Sequence, residues 1–176
     1  MTVIAALLIL PLASAQAQDR IRTLTPPAIK KFVESMAEKT KPGGRLSNQK
    51  VAKYLNAHLF DAGVYQSDIV FRIPGHDDQV RQISLGKEEF IYNVLSGRDA
   101  MKDYDASVTV EKIDIHENKQ EARFLTITDE EGLMPLEGQY LPYTGKTECA
   151  QHLALDAGTP VILSAVCQST LTFEEP

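Results

Sequence analysis

The sequence predicts an α+β domain in which three N-terminal helices pack in the concave face of a strongly bent, mainly antiparallel sheet. Three observations predict it. Helical apolar spacing is confined to the stretches before residue 96, period-two alternation dominates from Tyr104 onward, and the apolar parity switches within the first long strand. At 176 residues, with 43% hydrophobic and 24% charged residues, the chain suits one globular domain.

The N-terminus reads as an address. From Val3 to Ala15 the chain is uncharged and mostly apolar, about as long as a secretory signal core and well short of the roughly 18 residues a membrane span needs. Small residues follow as Ala13-Ser14-Ala15-Gln16-Ala17, and the expected cleavage lies between Ala17 and Gln18. No Lys or Arg precedes the apolar run, a departure from the usual signal. The division is therefore a signal peptide over 1–17 and a single domain over 18–176, with no membrane span after signal removal and a periplasmic or secreted location.

Thr25 followed by Pro26 and Pro27 is a helix start: a side-chain oxygen at the cap, then proline already at helical φ. Ile29, Phe32, Val33 and Met36 continue at helical spacing until Lys41-Pro42-Gly43-Gly44 ends the run. Ser47 opens a second helix with the stripe Val51, Tyr54, Leu55, His58, Leu59 and Ala62, and Gly63 is its expected stop. Ile69, Phe71 and Ile73 alternate as a short strand, His76 to Gln82 reads as a loop, and Ser84 is the expected cap of a third helix carrying Phe90, Ile91, Val94 and Leu95.

Strands are then expected over 104–116, 120–129, 146–156 and 160–173, with 131–145, rich in Gly and Pro, as a longer connection. Val108 and Val110 share one parity and Ile113 and Ile115 the other, so one extra residue near Glu111-Lys112 is expected as a β-bulge. If residues 157–159 form the last turn, Leu155 faces Val161, Leu153 faces Leu163, Gln151 faces Ala165 and Cys149 faces Cys167. A cross-strand disulfide follows from that register, and an even cysteine pair suits an oxidising compartment. No Cys-x-x-Cys spacing suggests a redox role.

This order of elements, with Leu85-Gly86-Lys87-Glu88-Glu89-Phe90-Ile91 at the third helix and the long strand from Val108 to Ile115, resembles the nuclear transport factor 2-like superfamily, here as a secreted bacterial member. The resemblance implies a cone-shaped or cystatin-like roll with a cavity between sheet and helices. Its members use that cavity for catalysis, small-molecule binding, dimerisation or protein docking, so the fold does not choose among them.

Chemistry is sparsely signalled. Eighteen Lys+Arg against 24 Asp+Glu, a net charge of -6 and no Trp argue against nucleic acid as a partner. The four histidines, His58, His76, His116 and His152, show no metal-ligand spacing, and there is no Gly-x-Ser-x-Gly or phosphate loop, so neither metal nor cofactor is expected. Ligand-pocket candidates are Tyr54 and His58, at i and i+4 on one helix face, with Asp68 and Phe71 on the following strand. Residues 18–60 carry nine basic and three acidic side chains and residues 61–176 nine and 21, so the chain is electrically bipolar. The lysines of the first two helices read first as solvated helix faces.

The reading is a non-catalytic binding or interaction module taking a small apolar ligand or a protein partner, with homodimerisation through the sheet. The alternative is a cone-pocket isomerase or dehydratase in which Tyr54, His58 and Asp68 act together, resembling ketosteroid isomerases and scytalone dehydratases. A periplasmic immunity or assembly factor is a further alternative.

Overall fold

The computed structural model describes residues 21–136 and 138–174. The cleavage site at Ala17 and Gln18 lies outside them. Three helices, α1 (Pro26–Thr40), α2 (Asn48–His58) and α3 (Lys87–Ala100), pack with six strands. These are β1 (Leu59–Arg72), β2 (Gln79–Leu85), β3 (Lys102–Ile115), β4 (Glu121–Leu136), β5 (Gln139–Asp156) and β6 (Thr159–Phe173). They form one sheet in the order β2-β1-β6-β5-β4-β3, in which only the β1–β6 pair is parallel.

Local chemistry sets the helices. Thr25 Oγ1 accepts the Ala28 amide at 3.3 Å at the start of α1, which buries Ile29, Phe32 and Val33. Helix α2 buries Val51, Leu55 and His58 and stops at His58, four residues before the expected end. Leu59 turns extended and pairs with Ile162, so the apolar stripe passes from helix to strand without a break. Gly63 serves β1 instead: a Cβ there would stand 2.5 Å from the hydroxyl of Tyr65, whose ring fills that space.

Two other expectations are corrected. The polar stretch after Ile73 contains β2, an edge strand paired only with β1, whose outward residues Gln82 and Ser84 are polar while Val80 is exposed beside them. Ser84 belongs to that strand, and α3 is capped at Gly86, whose amide is taken by Glu89 at 3.0 Å. Residues 131–145 are not a connection but the continuation of β4 and β5, paired from Gly132↔Tyr143 to Leu136↔Gln139. Past Leu133 and Tyr143 these strands lose their outer neighbours β3 and β6, leaving a two-stranded ribbon with room for Pro135 and Pro142.

The bulge in β3 is present between Glu111 and Asp114, with Lys112 at φ 48. It returns Ile113 and Ile115 to the side already taken by Val108 and Val110, and all four pack on the main core. Cys149 and Cys167 are directly opposed and disulfide-bonded. The turn between their strands is one residue shorter than expected. Ala157 and Gly158, at φ 47 and 85, form a two-residue turn, and β6 recovers the register with a bulge at Leu163.

The main core unites Ile29, Phe32, Val51, Leu55 and Ile91 with Tyr65, Phe124, Leu153 and Ile162 of the sheet. Even-numbered residues of β4 and odd-numbered residues of β5 therefore face the helices. A second cluster, around Tyr143, Leu171 and Phe173, takes in Ile69, Phe71 and Met134. Arg98 ties the helical layer together from α3. Its guanidinium donates to the carbonyls of Lys39, Lys41 and Leu46 and to Asn48 Oδ1, closing the α1–α2 loop over its buried charge.

Candidate functional site

Tyr54 and His58 meet as the helical spacing requires, their ring centroids 4.4 Å apart on α2. Phe32 of α1 comes up on the other side of His58, centroid to centroid 5.3 Å. The short β5–β6 turn then delivers Pro160, whose carbonyl accepts from His58 Nδ1 at 2.7 Å. That bond fixes the tautomer and leaves Nε2 as an acceptor. Burial lowers the His58 pKa below the ordinary imidazole value; the Pro160 bond opposes this and the charge of Lys39 adds to it. The imidazole is thus neutral at physiological pH.

A cavity of about 410 Å³ opens beside this pair, between α1, α2 and the β5–β6 turn. Ile21, Ala28, Phe32, Tyr54 and Pro160 supply its apolar wall, and Ser35, Lys31 and Lys39 its polar one. Lys39 Nζ sits 4.4 Å from the centroid of the Tyr54 ring, a cation–π contact. Burial raises the Tyr54 phenol pKa, against the effect of its hydrogen bond with Ser35.

The other two candidates lie elsewhere. Asp68 is exposed on β1, between Gln82 of β2 and Gln168 of β6, with the opposite parity to buried Tyr65. It therefore points away from the helices and does not join Tyr54 and His58. Phe71 packs in the second cluster, with Tyr143, Leu171 and Phe173. The Cys149–Cys167 disulfide spans β5 and β6 on the helix-facing side, beside Thr126 of β4.

One constellation escaped the sequence reading. Glu130 of β4 faces the helical side, and its Oε2 accepts from the Tyr104 hydroxyl at 2.8 Å. Directly opposite stands Gly145, where a Cβ would come within 2.8 Å of Glu130 Cγ and Oε1. The carboxyl thus lies across bare backbone. Burial raises its pKa above the usual carboxylate value, with the Tyr104 bond acting in the other direction. Burial, then the nearby Glu130 charge, likewise push the Tyr104 and Tyr143 phenols well above the ordinary tyrosine value. The available signal was a lone glycine in the strand opposite a glutamate, hidden because 131–145 reads as a loop. Among the described residues no group of three or more His, Cys, Asp or Glu is placed to hold a metal ion, and no helix is long and apolar enough to cross a membrane.

No family model matches the sequence, and no curated protein matches it. Solved structures do match. A hexachlorocyclohexane dehydrochlorinase (LinA) of type 2 aligns with TM-score 0.52 and 11% identity, over 82% of this chain and 86% of that one. The LinA-type3 dehydrochlorinase from Novosphingobium barchaimii LL02 aligns at 0.51 and 9%, over 84% and 87%. An NTF-2-like protein of unknown function from Silicibacter pomeroyi DSS-3 aligns at 0.45 and 14%, over 82% and 98%. Likeness at such identities is a likeness of fold. At these TM-scores the chain shares the α+β fold of the LinA dehydrochlorinases, three helices against a bent sheet.

Proposed function

We propose that the protein is an exported binding module whose cavity beside Tyr54 and His58 takes a small, largely apolar molecule. The observation that carries this reading is the cavity itself. Its volume of about 410 Å³ falls within the range of small-molecule sites, and aromatic and aliphatic walls surround a few converging polar groups. A neutral His58 and a protonated Tyr54 offer one acceptor and one donor to an uncharged polar substituent.

The placement of Asp68 favours binding over catalysis at this cavity. Without it no carboxylate among the described residues lines the wall to orient His58 or to share a proton with it, and the Nδ1 position is already taken by a carbonyl. Export is supported by the apolar leader ending in Ala17 and by the disulfide, which persists in oxidising compartments. Cell fractionation with N-terminal sequencing tests export: a mature chain beginning at Gln18 outside the cytoplasm is expected, and uncleaved protein in the cytosol would refute it.

A second reading, an isomerase or dehydratase, is favoured by the Glu130–Tyr104 pair. A partly buried carboxyl whose proton is held to higher pH, hydrogen-bonded to a phenol, is suited to general acid–base work. The ligand decides between the readings. Molecules recovered with the protein should be bound unchanged by a binding module and converted by an enzyme, and Glu130→Gln should abolish conversion only in the second case.

A further inference from the structure

The charge around the cavity narrows the class of ligand. Helix α1 presents Ala28, Lys31, Phe32, Ser35 and Lys39 to the cavity on one face. Two of these five are cations, and among the described residues no Asp or Glu lines the cavity. Neither lysine is engaged in a salt bridge among the described residues, whereas Lys41, the C-cap of α1, is paired with Glu38. Lys39 is half-buried and rests on the Tyr54 ring, so its ammonium is held at the cavity wall. His58, also at the wall, donates its Nδ1 proton to the Pro160 carbonyl and supplies no negative charge. An apolar hole rimmed by two cations that have no counter-ion among the described residues favours an anionic guest, because partial exclusion of water strengthens the attraction above its surface value.

We propose that this cavity takes a small molecule with an apolar, preferentially aromatic body and one anionic group such as a carboxylate, the body lying against Phe32, Tyr54 and Pro160 and the charge reaching Lys31 and Lys39. The proposal rests on the reading of this cavity as the ligand site. It adds a role for two lysines that otherwise read as a solvated helix face, and it excludes cationic guests.

The test is calorimetric titration of the purified protein with matched pairs, 2-naphthoate against 2-naphthamide and octanoate against octanamide. Each pair differs in charge and hardly in shape. Each acid is expected to bind at least about tenfold more tightly than its amide. Lys31→Gln combined with Lys39→Gln should bring the ratio of acid to amide affinity down to about one. Lys50→Gln, on α2 and outside the cavity lining, should leave both affinities as they were. Equal binding of acid and amide, sensitive to Tyr54→Ala, would overturn the anionic preference and leave the apolar pocket standing. An acid preference that survives the double variant, or falls equally with Lys50→Gln, would overturn the assignment to Lys31 and Lys39. No binding by any of the four would overturn the ligand site together with the preference.

Discussion

Burial shifts two side chains that titrate on the acid side of neutrality, His58 and Glu130, and it does so in opposite senses. Burial holds His58 below its ordinary value of 6.5, so the folded state resists taking up a proton that the unfolded state accepts. Its contribution to stability is complete above pH 6.5 and is lost as pH falls toward the folded-state pKa. Glu130 is held above its ordinary 4.5, so the folded state keeps a proton the unfolded state releases. Its contribution is complete below pH 4.5 and is lost as pH rises through the folded-state value. Urea midpoints measured from pH 4 to pH 9 should therefore show two separable limbs. His58→Gln should flatten the acid limb and Glu130→Gln the limb above pH 4.5. A variant that merely shifts the whole curve would contradict these assignments.

The same residues show what was legible. Tyr54 and His58 meet because i and i+4 on a helix is a geometric relation, legible in sequence, that tertiary structure does not alter. The alternation of Ile69, Phe71 and Ile73 already placed Asp68 on the other face of its strand, so the parity rule argued against its meeting His58. Glu130 and Tyr104, 26 residues apart, are joined only by the β3–β4 pairing, and no local pattern marks them.

At the scale of elements, the hairpin of β5 and β6 carries the clearest energetics. Its turn forces Ala157 to φ 47, a left-handed conformation that costs a non-glycine residue roughly 1–2 kcal/mol. Ala157→Asn or Ala157→Gly should raise stability by about 1 kcal/mol in chemical denaturation, since both suit a two-residue hairpin turn. Eighteen residues separate the cysteines, and replacing both with Ser should cost about 3 kcal/mol. Arg98→Ala should cost a similar amount, about 3 kcal/mol, because three carbonyls and Asn48 Oδ1 lose their donor at once. The Arg98 variant should also weaken ligand binding, since Lys39 is one of the residues whose carbonyl it holds. Long strands with clear alternation, the cap at Thr25 and the bulge at Lys112 were all readable. Elements whose polarity is set by neighbours were not. An edge strand needs no apolar face, a two-stranded ribbon tolerates proline, and a helix that runs straight into a strand shows no break in its apolar pattern.

Across the whole molecule, the basic stretch over residues 18–60 carries α1 and α2, and the acidic stretch over 61–176 contributes α3 and nearly all of the sheet. The fold thereby sets a cationic helical layer beside a cavity, and an acidic sheet on the other side of the core. That asymmetry was visible in the order of charges along the chain, while its consequence required knowing that Lys31 and Lys39 share a helix face with Phe32 and Ser35 at a cavity wall. The central claim is that this cavity holds a small molecule. Native mass spectrometry of the protein purified from its own cellular compartment, against the same sample denatured, tests it most directly. The account predicts a folded species carrying a small organic adduct that is lost on denaturation and is absent from Tyr54→Ala. A folded chain recovered bare, and still bare after incubation with a small-molecule extract of the same cells, would contradict it.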